Sequence, residues 1–415
     1  MKKKRRFWEF PWGYKESFTI AFSVLFLGFM IEAGTGNKGI VLPHWPYNLI
    51  VIIAFIAYII LSYRMVKTPF MKWLSSVPAA ISAISVMTFL ILLMGFIRQN
   101  DPDADGFIQS IGLTHVTRSW PYFLISLYLL IILGYSTVRR SWPLSIKNFA
   151  FFLNHGGLWI LVVAASLGTA DLWRLNMTLQ ENARVSRAFN NKGDSYKMPF
   201  ALELIDFHIK EYVPNVGLVD KAQRKFVIDN ETMLVEAEEG ETAIFKNWEI
   251  SFDKFLESAR RDSTGYQSSQ VKGSAPAVFL TARNLQTGET KTGWTTSGSY
   301  WMPAKYLDLS PRFAMAMSVP RPKEYSSDLR YISESGETEE FTIKVNQPKT
   351  IHGWTIYQTG YNEEKGKWSE ISIVEIVRDP WLPVIYIGIF MILLGSLYLV
   401  WVGRTKNKNT ENELD

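Results

Sequence analysis

One histidine stands almost alone in a long apolar run. His155 lies within Phe149–Gly168, a segment that contains no charged residue. A polar side chain at membrane depth costs free energy, so an isolated imidazole there indicates a functional role. Imidazole is a common axial ligand of haem iron, and the sequence predicts that role for His155. The alternative is a structural imidazole that bonds to a facing helix with help from Asn154.

The neighbours of this imidazole could shape a haem pocket. Gly156 and Gly157 carry no side chains, which leaves room for either a flat macrocycle or a closely packed helix. Trp159, four residues after the histidine, could pack against the same volume. Phe151 and Phe152 would keep water out of it.

The other four histidines have weaker claims to chemistry. His44 and His115 precede apolar runs, where an imidazole meets water at little cost, although together they could line an outer haem pocket. His208 and His352 stand alone in strand-like segments, which favours structural or surface roles. The sequence has no glycine-rich phosphate loop and no nucleophile elbow, so no catalytic residue is predicted.

The composition excludes several classes of function. The 415 residues contain no cysteine, so the chain has no disulfide, no thiolate metal site and no thiol redox chemistry of its own. The net charge is +5, but no basic stripe interleaved with aromatic residues suggests binding to nucleic acid.

Apolar runs predict six membrane spans. A helix needs about 20 apolar residues to cross about 30 Å of hydrocarbon, and the shorter runs need their flanks to complete the crossing. The predicted spans are Phe18–Ala33, Tyr47–Tyr63, Val77–Ile97, Tyr122–Tyr135, Phe149–Ala170 and Leu382–Val402.

Loop charges predict the direction of these spans. Four basic clusters fall on one side of the membrane if both termini are cytoplasmic: Lys2, Lys3, Lys4, Arg5 and Arg6; Arg64, Lys67 and Lys72; Arg139, Arg140 and Lys147; Arg404, Lys406 and Lys408. Residues 173–380 are then outside the cytoplasmic membrane of a bacterium. A cleaved signal peptide is the competing interpretation of residues 1–36, but Glu32–Gly36 is a poor cleavage site.

The segment before the last span has the period of two that is typical of strands. Its predicted strands are Ala201–Lys210, Phe226–Asp229, Thr242–Phe245, Ala277–Arg283, Glu340–Val345 and Thr355–Thr359. Turns are predicted at Gly240, Gly288, Gly336 and Gly366. We expect a β-sandwich or barrel-like domain that acts as a binding or docking module.

These elements predict an integral membrane α-helical protein with about six spans and a large extracytoplasmic β-rich domain inserted before the last span. The predicted divisions are a two-span extension at 1–70, three transmembrane helices including the His155 span at 71–172, the β-rich domain at 173–380, the last helix at 381–403 and a cytoplasmic tail at 404–415.

Several segments in this order resemble the ResB (CcsB) family of cytochrome c biogenesis proteins. They are Phe152–Ile160 around the histidine, Leu167–Leu172, Trp354–Tyr361 and Val377–Gly395. The resemblance runs from about Ser119 to about Trp401. The chain departs from the family in its two extra N-terminal spans, and in Trp381 after Asp379 and Pro380, where glycine is common.

The resemblance implies the ResB-like half of the system II cytochrome c synthase. Such a protein works with a ResC- or CcsA-like membrane partner that carries a tryptophan-rich haem-binding segment. Together they carry haem b across the membrane and attach it to Cys-x-x-Cys-His motifs of apocytochrome c. The family's inner haem histidine maps onto His155, and the partner supplies the second ligand. The chain would be a subunit of a haem lyase without catalytic residues of its own.

Two functions of other classes remain open from the sequence. A membrane electron-transfer subunit with a b-type haem usually needs two or more histidines within facing spans, whereas only His155 lies deep in one. A membrane-anchored docking or scaffold module would need no haem, and His155 would then be structural.

Overall fold

The computed structural model describes residues 8–65, 68–101, 103–142, 144–228, 234–263 and 265–411. The chain forms two compact units. The membrane unit contains the chain up to Leu172 and again from Asp379, and the β unit is Trp173–Arg378. Some predicted features lie outside the described residues: the basic cluster Lys2–Arg6, Lys67, Asp229 at the end of one predicted strand, and residues 412–415 of the tail.

The membrane unit is helical. Its helices are α1 (Tyr14–Gly34), α2 (Tyr47–Met65), α3 (Pro69–Leu74), α4 (Val77–Phe96), α5 (Gly106–Ser110), α6 (Trp120–Ser141), α7 (Ile146–Leu167) and α8 (Leu382–Glu411), with 3₁₀ turns at Leu113–Arg118 and Gly168–Asp171. Six of them, α1, α2, α4, α6, α7 and α8, are long and apolar enough to cross a membrane. The prediction of a multi-pass membrane protein with six spans is confirmed.

Helix α6 lies at the centre of the membrane unit. It contacts α1, α2, α4 and α7, and it buries Ile125, Ile132 and Tyr135 almost completely. Hydrogen bonds join it to its neighbours, as between the Tyr135 and Ser62 hydroxyls at 2.7 Å. Helix α6 is longer than the predicted span Tyr122–Tyr135. It begins at Trp120 and Pro121 and ends at Ser141.

Helices α7 and α8 approach at backbone distance through glycines. A Cβ atom at Gly157 would lie 2.8 Å from the Gly388 carbonyl oxygen and 2.8 Å from Met391 Cβ. A Cβ atom at Gly388 would lie equally close, 2.8 Å, to the Gly157 carbonyl oxygen. Small residues at such a crossing allow dispersion contacts between helices that are surrounded by lipid. This pairing is the most extensive helix–helix contact in the unit.

The β unit is antiparallel throughout its named strands. They are β1 (Trp173–Gln180), β2 (Arg184–Phe189), β3 (Ser195–Glu211), β4 (Asn215–Asp220), β5 (Lys225–Phe226), β6 (Val235–Glu236), β7 (Thr242–Phe245), β8 (Trp248–Arg261), β9 (Tyr266–Ser268), β10 (Ala275–Asn284), β11 (Thr290–Thr296), β12 (Leu307–Asp308), β13 (Phe313–Met317), β14 (Pro322–Ser333), β15 (Thr338–Lys344), β16 (Lys349–Ile351), β17 (Trp354–Tyr361) and β18 (Ile371–Arg378).

The largest sheet has eight strands in the order β15-β14-β3-β2-β1-β18-β17-β16. It curls until β15 comes close to β16 and β17, so its two edges nearly close into a barrel. Alternating residues such as Leu175, Met177 and Leu179 on β1 point into a core that also buries Leu202 and Leu204 of β3. The period-two pattern of the sequence is the cause, because alternate side chains of a strand face opposite sides.

Two smaller sheets of five strands share a second core. One has the path β11-β10-β8-β7 with β9 beside β8, and the other β12-β13-β4-β5 with β6 beside β4. Phe252 and Leu280 of the first sheet and Leu218 and Met315 of the second belong to one buried cluster. The β unit thus combines a sandwich with a near-barrel, and the prediction of a large β-rich domain before the last span is confirmed.

The glycine contact predicts a difference between two substitutions. Gly157→Ala should lower the free energy of unfolding by about 1–3 kcal/mol, the usual cost of overpacking, because the added methyl meets the backbone of α8. The matched control is Gly95→Ala in α4, where a Cβ atom would meet nothing within 4 Å. Unfolding of the purified protein by SDS in mixed micelles measures both changes, and equal stability of the two variants would contradict this account of the crossing.

Candidate functional site

His155 is held in a stack of three side chains in the membrane unit. Its ring lies over the ring of Phe151, one turn earlier on α7, with centroids 3.7 Å apart and planes 19° apart. The Arg140 guanidinium lies over the Phe151 ring, 4.7 Å from its centroid. Position and orientation of the imidazole are therefore fixed by its own helix and by the end of α6, and the ring stays partly exposed.

The Nδ1 atom of His155 is buried and has no hydrogen-bond partner among the described residues. The Phe151 carbonyl is near enough to interact with the ring but does not meet hydrogen-bonding geometry. A buried polar atom without a partner costs about 1–3 kcal/mol. The alternative interpretation, a structural imidazole bonded to a facing helix, therefore lacks its hydrogen bond in the part of the chain that is described.

Asn154 makes the interhelical bond instead. Its Oδ1 accepts from the Ser396 hydroxyl of α8 at 2.9 Å, and its Nδ2 donates to the Ala150 carbonyl at 3.1 Å. A Cβ atom at Gly395 would lie 2.6 Å from Asn154 Nδ2, so this contact also requires glycine. The side-chain hydrogen bond between α7 and α8 therefore does not involve the His155 imidazole.

The two glycines beside His155 accommodate a helix. Gly157 faces Gly388 and Met391 of α8, and a Cβ atom at Gly156 would lie 3.5 Å from the Phe152 ring. The sequence had allowed a close helix or a macrocycle in this space, and the structure places the helix there. Any macrocycle would have to reach His155 from the partly exposed side of α7.

Trp159 faces away from that side. It is buried, it donates from Nε1 to the Leu130 carbonyl of α6 at 3.1 Å, and its ring stacks on Phe55 of α2 at 5.9 Å between centroids. Trp159 therefore packs in the contact of α7 with α2 and α6. The sequence had suggested that it would instead line the haem pocket.

Asp171, at the other end of the same span, accepts hydrogen bonds from two other segments of the membrane unit. Its carboxylate accepts from the Trp45 backbone N–H at 2.9 Å, from Asn48 Nδ2 at 2.7 Å and from Trp381 Nε1 at 2.7 Å. His44 Nδ1 lies 3.7 Å from it. Sequence reasoning missed this role, although a lone carboxylate at the end of an apolar run was a signal for it.

Glu32 plays a similar part at the end of α1. It is fully buried and accepts from the backbone N–H groups of Gly39 at 3.0 Å and Trp120 at 2.8 Å. The His115 Nε2 atom lies 3.3 Å from Glu32 Oε1, the oxygen that also accepts from Gly39. His44 and His115 therefore lie beside different carboxylates, and each has a structural contact that the sequence did not reveal.

The histidines of the β unit are not brought together. His208 Nε2 lies 3.0 Å from Asp328 on the neighbouring strand, and the His352 ring packs 5.7 Å from Tyr331. Within the described ranges, no group of three or more His, Asp or Glu side chains could hold a metal ion.

One family model matches the chain. Residues 312–375 match the ResB-like family, from just before β13 into β18. Over these residues the chain is similar to that family. The resemblance to the ResB/CcsB family is thereby confirmed, and it indicates a component of cytochrome c biogenesis. No curated protein matches the chain. The matched segment lies within the β unit, so the match does not cover His155.

The Asp171 contacts predict a graded loss of stability. Asp171→Ala leaves the buried donors of Asn48 and Trp381 unpartnered, each at a cost of about 1–3 kcal/mol. Trp381→Phe keeps an aromatic side chain in this buried position and removes one donor, so its loss should be smaller, about 1 kcal/mol. Thermal unfolding in detergent, followed by light scattering, ranks the two variants. A Trp381→Phe protein less stable than Asp171→Ala would contradict the assignment of Asp171 as the shared acceptor.

Proposed function

We propose that this ResB-like protein is the membrane subunit of a cytochrome c synthase that carries haem b across the cytoplasmic membrane and delivers it to apocytochrome c. The observation that carries the proposal is the environment of His155. Its ring is held by stacking, its Nδ1 atom is buried without a partner in the described chain, and its side chain remains partly exposed. A held and partly exposed ring suits an axial ligand, and because Nδ1 is buried, iron would be bound through Nε2.

The haem is the cargo, and His155 is the residue of this chain that would hold its iron. Because α8 fills the glycine side of α7, the porphyrin would lie between the partly exposed side of α7 and another protein. A ResC- or CcsA-like partner with a tryptophan-rich haem-binding segment would cover that side and donate the second ligand. An imidazole ligand keeps the iron coordinated and the macrocycle oriented while it is transferred.

The charge pattern supplies the direction of transfer. Both termini lie in the cytoplasm in this proposal, because the basic clusters then share that side. His155 falls in the cytoplasmic half of its span, and the β unit is extracytoplasmic, where it would position the apocytochrome. Since the chain has no cysteine, the thiols that form the thioether bonds come from the apocytochrome, and a separate pathway keeps them reduced.

The two other functions have less support. An electron-transfer subunit with its own b-type haem needs a second intramembrane imidazole, and His155 is the single histidine within the six spans. A haem-free docking module would make His155 a structural residue, yet the described chain gives its imidazole no hydrogen bond to a facing helix. Absorbance of the protein with and without its partner separates these functions from the proposed one. Haem in the isolated chain favours the electron-transfer subunit, and no haem in either sample favours the docking module.

His155→Ala should remove most of the haem that copurifies with the complex and lower the yield of holocytochrome c, because the iron loses one axial ligand. Added imidazole should restore part of both by filling the open coordination position. Haem is measured by the pyridine haemochrome spectrum, and holocytochrome by haem staining of gels.

His208→Ala is the matched control, since that histidine is exposed on the β unit and pairs with Asp328. It should leave haem content unchanged. Full haem content in the His155→Ala complex would exclude His155 as a ligand.

A further inference from the structure

A cavity of about 360 Å³ opens on the β unit near the end of β8. Four of its lining residues are basic: Arg260, Arg261, Lys272 and Lys305. No aspartate or glutamate is among the lining residues of the described chain. Its volume is within the range of about 300–1,000 Å³ that is usual for ligand sites. The cavity therefore has the charge and the size to hold an anionic group.

Most of this positive charge is not neutralised by the protein. Lys272 pairs with Glu370 at 2.6 Å, and this hydrogen bond raises the pKa of the lysine and keeps it charged. Arg260, Arg261 and Lys305 form no salt bridge with any described residue. Arg260 and Arg261 are consecutive on β8, so their side chains leave the strand on opposite sides. Without a carboxylate partner, each guanidinium group leaves its hydrogen-bond donors to water or to a ligand.

A buried hydroxyl in the cavity wall also lacks a partner. Ser274 is 3% exposed, and its Oγ atom makes no hydrogen bond within the described ranges. Its backbone is held, because the Trp368 Nε1 atom donates to the Ser274 carbonyl at 2.8 Å. Buried polar atoms are nearly always hydrogen-bonded, so an orphan in a cavity wall indicates a missing partner.

The opposite wall of the cavity is a tightly bonded loop. The Ser299 hydroxyl accepts from the backbone N–H groups of Trp301 at 3.2 Å and Met302 at 3.1 Å. The backbones of Thr296 and Lys305 exchange two hydrogen bonds, at 3.0 and 3.1 Å, which close the loop at its base. This wall is preorganised, so a ligand would bind without the cost of ordering it.

Aromatic side chains extend beyond the mouth of the cavity. Trp301 lines the cavity and is 73% exposed, and the adjacent Tyr300 is 42% exposed. Exposed tryptophan and tyrosine beside arginine are the composition of interface hot spots. A small inorganic anion would contact the basic residues and leave these rings uncovered. A peptide would contact both the basic residues and the aromatic rings.

We propose that this cavity binds an acidic side chain of a peptide segment, with a neighbouring apolar residue of the peptide packed on Trp301. Arginine donors match carboxylate geometry, so a guanidinium group of this basic lining donates to the carboxylate. This recognition requires no haem, and it goes beyond the proposed haem delivery by naming the chemistry of a protein partner.

Fluorescence anisotropy of a labelled peptide tests the proposal on the full-length protein in detergent. The probe is N-acetyl-Asp-Glu-Phe-Gly-amide, and its amide counterpart is N-acetyl-Asn-Gln-Phe-Gly-amide. The acidic peptide should bind at least about tenfold more tightly than the amide peptide, a ratio typical of one lost charged contact. Arg260→Ala combined with Arg261→Ala should weaken binding by a similar factor, and Trp301→Ala should weaken both peptides.

Arg283→Ala is the matched control, because this exposed arginine lies on β10 away from the cavity lining. It should leave binding unchanged. If the double alanine variant does not fold, Arg260→Gln with Arg261→Gln replaces it. Equal binding of the two peptides, or displacement of the acidic peptide by an equal concentration of inorganic phosphate, would overturn the proposal. Haem content of the same variants is measured separately, so failure here leaves the His155 proposal unaffected.

Discussion

The carboxylate of Asp171 is the acceptor on which one end of the membrane unit depends. It receives hydrogen bonds from the chain just before α2, from α2 itself and from the residue just before α8. A charged group at the end of an apolar helix is stable only where donors surround it. By satisfying those donors, Asp171 joins three helix ends that are far apart in sequence. The close contact between Gly157 of α7 and Gly388 of α8 then extends the packing along these two helices.

The same packing determines which side of α7 stays uncovered around His155. One side of α7 is filled by α8 through Gly157, and another by α2 and α6 through Trp159. The imidazole lies beside neither contact and keeps part of its surface exposed. Close packing elsewhere on the helix therefore leaves a single side for a cofactor or a second protein. In the proposed haem-binding arrangement, helix packing and haem binding use different sides of α7.

Much of this architecture could be predicted from local patterns. Apolar runs gave the six spans, and alternation gave strands such as β3 and β10, with Gly240, Gly288 and Gly336 in turns at positive φ. The division of the β unit into three sheets could not be predicted, because neighbours such as β1 and β18 are distant in sequence and their pairing depends on tertiary contacts. The His155 site was partly predictable. An isolated imidazole is visible in a sequence, whereas the helix that would occupy the glycine side is not.

The β unit begins and ends on neighbouring strands. Trp173 at the start of β1 pairs with Arg378 at the end of β18, and the register continues unbroken to Gln180 and Ile371. A domain whose two termini adjoin can be inserted into a host chain without changing the separation of the flanking segments. The crossing of α7 and α8 can therefore stay fixed while the domain inserted between them lengthens its loops or changes its surface.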